Sequence, residues 1–314
     1  VNLFDIMRNK VKWNILFAYF KLTKRKIHLN KYFGKKVHSA SEGNEWISKM
    51  ITSGVPGAVC RLGYNELRVM MECTENQIKG KKTVVSEESK RLICNNAGFF
   101  PKDDVAIEEF SDMLKDTLGE VDLLGVWDNK MEDLAVKEFM PNVKLCELRG
   151  LEPYYFENPW SSNLQGKKVL VIHPFAETIA QQYKKRKKLF ANQVLPEFEL
   201  YTLRAVQTAA GEKDDRFNTW FDALEYMVNE ALKIDFDVAI IGCGAYGLPL
   251  ATKLKCAGKI AIHVGGATQI LFGIKGKRWD AHPIISSFYN DEWVRPSKNE
   301  SPSGIQKVEN GCYW

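Results

Sequence analysis

The stretch DVAIIGCGAYGLPLATKLK, Asp237 to Lys255, reads as an apolar strand, a glycine loop and a helix in succession. Val238 to Ile241 is the strand, Gly242, Gly244 and Gly247 fit G-x-G-x-x-G, and Leu248 to Cys256 has helical composition. That order builds a parallel α/β sheet, and the same pattern opens dinucleotide-binding folds. Its position speaks against a dinucleotide. Such folds carry the loop in their first βαβ unit and place an acidic residue at the end of the next strand, about 20 residues on. Here only 70 residues follow Gly244, and the next strand ends at His263. The competing use of these glycines is to let strand, turn and helix pack closely.

Outward from this unit the alternation recurs. Candidate strands are Ala58 to Cys60, Val121 to Val126, Val169 to Ile172, Phe198 to Leu203, Val238 to Ile241 and Lys259 to Val264. Helical patterns cover Glu45 to Thr52, Asn65 to Thr74, Ser86 to Asn95, Ala106 to Lys115, Glu177 to Val194, Arg216 to Lys233 and Leu248 to Cys256. The expectation is an α/β fold: a Rossmann-like, doubly wound, mostly parallel sheet flanked by helices. It divides into a basic amphipathic arm (1–40), the sheet domain (41–280) and a Pro-, Ser- and Asn-rich wrapping tail (281–314) anchored by Trp293, Tyr313 and Trp314.

A chain of 314 residues with 45% hydrophobic and 26% charged residues has material for one large domain or two smaller ones. Its seven cysteines are an odd number without C-x-x-C spacing, so neither a disulfide framework nor a structural zinc site is indicated, and a reducing cytosol is the natural reading. No apolar run of about 18 residues is present, so neither a transmembrane span nor a secretory signal is expected.

The net charge of +5 is unevenly placed: Arg8 to Lys36 holds ten Lys or Arg, and Asp5 is the sole acid before Glu42. Trp13, Ile15, Leu16, Phe17, Tyr19 and Phe20 interleave with those cations, the composition of a helix in an anionic membrane interface. A cationic surface helix packed on its own domain is the competing reading. No nucleic-acid reading module is recognisable, so no nucleic-acid partner is expected. A second basic run, Lys184 to Lys188, reads as a solvated helix face, with a cation placed near a ligand phosphate as the alternative.

In open parallel sheets the ligand lies beyond the carboxyl ends of the strands. Those ends here are Arg61-Leu62-Gly63, Trp127-Asp128-Asn129, His173-Pro174, Arg204, Gly242-Cys243-Gly244 and His263-Val264-Gly265-Gly266. Together they form a polar, cationic rim suited to a diphosphate. In GVPGAVCRLGYNELRVM, the strand delivers Arg61, Gly63 allows a turn, and Glu66 falls in the first helical turn. Arg61 and Glu66 then flank the turn, one for a phosphate and the other for a metal or sugar hydroxyl; Glu66 as simple complement to the helix dipole is the alternative.

Arg61-Leu62-Gly63-Tyr64-Asn65-Glu66-Leu67 resembles the R-x-G-D-x-E-L motif of bacterial glycosyltransferases of the GT-D fold. The Gly242 and Gly265 loops are similar to that family's last strand ends, and the ending ENGCYW, Glu309 to Trp314, resembles capsule-locus proteins. The resemblance covers roughly residues 40 to 280. It implies a glycosyltransferase that takes a nucleotide sugar, first of all a UDP-sugar, to a glycan or lipid-linked acceptor in surface polysaccharide synthesis, at or near the inner face of a membrane. Arg61, Gly63, His173, Gly242, Gly244 and Gly265 are its expected donor-binding residues, and Glu66 and His263 its expected catalytic ones. Tyr64 stands where the family has the aspartate that shares a divalent metal with the glutamate, so the metal is left unassigned. Two rivals remain: a Rossmann-like methyltransferase or oxidoreductase with an adenine cofactor, and a non-catalytic membrane-surface protein.

Overall fold

The computed structural model describes residues 1–314 except 26, 27, 213, 303 and 309; Glu309 of the ENGCYW ending and two residues of the basic arm therefore lie outside the described residues. The chain begins with α1 (Leu3–Thr23), β1 (Lys31–Tyr32), β2 (Lys35–His38), α2 (Ala40–Ser53), β3 (Gly57–Cys60) and α3 (Tyr64–Ile78). It continues through α4 (Glu87–Ala97), α5 (Asp104–Leu118), β4 (Leu123–Val126), α6 (Glu132–Phe139), β5 (Lys144–Glu147) and β6 (Lys168–His173). Then come α7 (Ala176–Tyr183), α8 (Arg186–Leu189), β7 (Glu199–Arg204), α9 (Trp220–Leu232), β8 (Val238–Ile241), α10 (Gly247–Cys256) and β9 (Ile260–His263). Two single turns, α11 (Thr268–Leu271) and α12 (Lys277–Asp280), precede an irregular tail.

The strands form one sheet in the order β1-β2-β5-β4-β3-β9-β8-β6-β7, parallel throughout except for β1. The expected Rossmann-like α/β architecture is what the chain adopts. Every residue of β3, β4, β8 and β9 is buried, as it must be in strands covered on both faces, which explains their unbroken apolar runs. One face packs against α3, α5, α9 and α10 around Phe110, Trp220 and Leu250. The other packs against α2, α7 and the tail around Trp160, Ile179 and Phe272.

Several local expectations are corrected. Residues 31–38, read as part of the arm, form a hairpin whose turn residues Phe33 and Gly34 take φ of +46° and +91°, the positive values a two-residue hairpin turn demands. Its second strand extends the sheet by pairing Val37 with Leu145. The segment Glu177 to Val194, read as one helix, breaks after Tyr183, where Lys185 and Lys188 turn to pair with Glu292, and Arg186 with Glu197. The helix read from Arg216 starts only at Trp220, where Thr219 and Asp222 make a reciprocal cap.

The arm helix α1 has an inward face of Ile6, Asn9 and Trp13. Asp133, fully buried at the start of α6, accepts from Asn9 Nδ2 at 3.0 Å, Trp13 Nε1 at 2.9 Å and Lys12 Nζ at 2.6 Å. Trp13, expected in a lipid interface, instead belongs to the body of the protein.

Candidate functional site

β6 runs into α7 on one face of the sheet, and its neighbour β8 runs into α10 on the other. Two adjacent parallel strands whose connections leave in opposite directions open a crevice at their carboxyl ends. A cavity of about 230 Å³ lies there, walled by the ends of β3, β4, β6, β8 and β9, by Arg278 of α12 and by Tyr313 and Trp314 of the tail. Arg61, Gly63, Glu66, His173, Gly242, Gly244, His263 and Gly265 all line it, so the topology brings every expected site residue to one place.

Arg61 leaves the end of β3 and donates through Nη1 to the Val264 carbonyl at 2.9 Å. Its guanidinium lies 3.9 Å from the centre of the Trp127 ring and packs on Gly265, whose φ of +68° lets the loop pass beneath it. Burial weakens its hold on the proton, but a guanidinium stays charged at every relevant pH. Glu66 occupies the third position of α3, whose cap residue Gly63 contributes no side chain. The carboxylate folds back so closely that a Cβ at Gly63 would stand 2.1 Å from Glu66 Oε2. Burial raises the Glu66 pKa, against the opposing pull of its own amide and of Arg61.

The two histidines are built into the wall. His173 is 3% exposed, and its Nδ1 accepts from the Phe175 N–H at 3.0 Å. His263 has Nδ1 3.3 Å from the Ile241 carbonyl, and its ring fills the space where a side chain at Gly247 would sit. Burial lowers both to about 3, with Arg61 adding to the effect at His263. Both rings are therefore neutral at pH 7, and each is a feeble base.

This has a consequence for acid stability. An unfolded histidine takes its proton near 6.5, whereas His173 in the fold resists until about 3. The stability this group contributes is full above pH 6.5 and is lost as pH falls toward about 3, at up to about 1.4 kcal/mol per pH unit. Melting temperature is expected to fall below pH 6.5, and His173→Asn to make that fall shallower. An identical slope in the variant would show that His173 does not titrate differently in the two states.

The opening motif acquires a packing explanation. A Cβ at Gly242 would lie 2.5 Å from the Gly265 carbonyl oxygen and 2.7 Å from the His173 ring. The first glycine lets β8 pass the β9 loop, and the third, Gly247, admits the His263 imidazole. Close packing of protein on protein accounts for both.

Not every strand end joins the cavity. Arg204 ends the edge strand β7, donates to the Asn299 carbonyl at 2.8 Å, and borders a separate polar groove. Asp128, next to Trp127, turns away to accept from the Leu29 N–H at 3.2 Å and the Tyr32 hydroxyl at 3.1 Å. The N-terminus of α7 is filled by a buried carboxylate, Glu300, which accepts from the Glu177 N–H at 2.7 Å.

Sequence reasoning missed Arg278 and Gln269. Arg278 Nη1 donates to the Tyr313 hydroxyl at 3.2 Å, closing the cavity from the tail side. Gln269 is fully buried; Nε2 donates to the Ile274, Lys275 and Tyr313 carbonyls, and Oε1 has no donor among the described residues. Neither residue lies beside a strand end or in a recognisable motif, so no local signal marked them.

The family resemblance raises the question of a divalent cation. Among the described lining residues Glu66 is the sole carboxylate, and no group of three His, Cys, Asp or Glu is placed to hold a metal. Divalent magnesium, calcium and manganese favour oxygen-rich sites, and this donor set does not fit one.

Fold and site together define a Rossmann-like α/β protein with a cationic, aromatic-walled cavity at its topological switch point. No family model, curated protein or solved structure matches the chain.

Proposed function

We propose that the chain is a glycosyltransferase that uses a nucleotide sugar, with a UDP-sugar as the first donor to test. The observation that carries this reading is the convergence at one cavity of Arg61 and Arg278 with a single carboxylate, Glu66, and the rings of Trp127 and Tyr313. In the proposed reaction an acceptor hydroxyl oxygen bonds to the anomeric carbon, the carbon–oxygen bond to the diphosphate breaks, and the diphosphate leaves with the electron pair. The protein's main task is to stabilise that charge, which suits fixed guanidinium groups in a partly dry site. The acceptor's proton passes to Glu66, a half-buried carboxylate whose pKa is raised, which makes it the better base here than the strongly suppressed His263.

At about 230 Å³ the cavity is smaller than the ~300–1,000 Å³ usual for small-molecule sites. The cavity is partly open, so part of a nucleotide sugar would lie outside it. Acceptor class, a glycan or a lipid-linked sugar, follows from the resemblance alone.

A thermal-shift panel of uridine diphosphate, NAD and S-adenosylmethionine, each with and without EDTA, tests the reading. Uridine diphosphate is expected to raise the melting temperature, with little loss on chelation. Protection by NAD or S-adenosylmethionine instead would favour the adenine-cofactor enzyme, and abolition by EDTA would mean that a metal completes the site.

A further inference from the structure

We infer that α1 and the hairpin after it dock the protein on an anionic lipid surface, with the face of α1 opposite Trp13 in the interface. This is independent of the glycosyltransferase reading. The bonds from Asn9, Lys12 and Trp13 to Asp133 fix which side of the helix meets the body. Phe4, Met7, Val11, Ile15 and Leu22 recur at helical spacing on the opposite side, and they are between 58% and 85% exposed. A surface helix ordinarily turns such a stripe toward the core. Here the core side is already occupied, so the stripe faces outward.

Tyr19 adds an exposed ring beside the stripe, whereas Phe17 and Phe20 fall on the Trp13 side; Phe33 at the hairpin tip is 46% exposed with Lys12 and Lys137 over its ring. Arg8, Lys21, Lys24 and Arg25 are exposed and pair with no carboxylate among the described residues. The one acid of the helix, Asp5, is held by Lys137. Charge decides the occupant. A second copy of this chain would cover the apolar stripe while bringing two sets of unpaired cations together, whereas anionic headgroups neutralise them. No described helix is long and apolar enough to cross a membrane, so α1 would lie in the interface plane.

Truncating the arm would remove Trp13 and Ile6 from the body, so surface substitutions are used on the full chain. Ile15→Glu/Leu22→Glu alters the stripe, Lys21→Glu/Lys24→Glu alters the charge, and both leave the inward face intact. Vesicles of phosphatidylcholine alone and vesicles containing phosphatidylglycerol are sedimented with each protein. The parent is expected to sediment only with phosphatidylglycerol, and to release as salt screens charges beyond about 10 Å at 0.1 M. Each double variant should bind about tenfold or more weakly at an unchanged melting temperature. Equal sedimentation of parent and variants, or none by the parent, overturns the proposal. So does a dimer, seen by light scattering, that the Ile15→Glu/Leu22→Glu change dissolves in the absence of vesicle binding.

Discussion

Arg61→Ala is expected to weaken uridine diphosphate binding by about 1.5–3 kcal/mol, roughly 10- to 150-fold, because a guanidinium-to-phosphate hydrogen bond is charge-assisted. The same side chain also holds the Val264 carbonyl and stacks on Trp127, so the variant should melt lower as well. Affinity per folded molecule separates the two roles. Glu66→Gln supplies the contrast: it keeps the shape that folds back over Gly63 and removes the charge. Nucleotide affinity should stay near the parent's while sugar transfer or donor hydrolysis falls by about 10²–10⁴-fold, the usual worth of a positioned base. Should Arg61→Ala bind uridine diphosphate like the parent once melting is accounted for, and Glu66→Gln turn over normally, the pair merely joins a strand to a helix.

Asp133→Ala is expected to cost several kcal/mol of stability, about 1–3 kcal/mol for each of the two buried N–H donors left without an acceptor. The donors stranded would be the buried Asn9 Nδ2 and Trp13 Nε1, which now reach one fully buried carboxylate, while Lys12, 39% exposed, can turn to water. Hydrogen exchange should show loss of protection along Leu3–Thr23 before the sheet opens, and tryptophan fluorescence should shift red as Trp13 meets water. If α1 stays protected and the melting temperature holds, the helix is held by Ile6, the Trp13 ring and the ion pairs of Asp5 and Lys10 with Lys137 and Glu75.

Where strands are buried on both faces, the amino-acid order marked them. Val238 to Ile241 and the run ending at His263 have nowhere to alternate, and continuous apolar composition identifies such strands without reference to neighbours. The side of the sheet that ends in the β1-β2 hairpin was less legible. β5, Lys144–Glu147, has exposed charged ends and only two buried residues, too short a pattern to stand above its surroundings. The hairpin of β1 and β2 was hidden by its lysines, which make it resemble the rest of the basic arm, although its Phe33-Gly34 turn was present in the sequence.

The site shows the same division. Chain order by itself determined the class of fold and the set of residues at strand ends, because a parallel sheet must send all its strands in one direction and so gathers their carboxyl ends on one edge. It did not determine what those residues do there. Arg204 and Asp128 stand at strand ends yet leave the cavity, one because β7 is at the sheet's edge, the other because Tyr32 and Leu29 draw it away. Arg278 enters from the single turn α12 and Tyr313 from the tail, through contacts that depend on how the chain returns over the sheet. The glycines of the opening stretch have the spacing of a cofactor loop, and only packing showed that His173, His263 and the Gly265 carbonyl occupy the room they leave. Tertiary structure decided these matters because each depends on what a distant segment places against the residue, and such proximity is not encoded in local spacing.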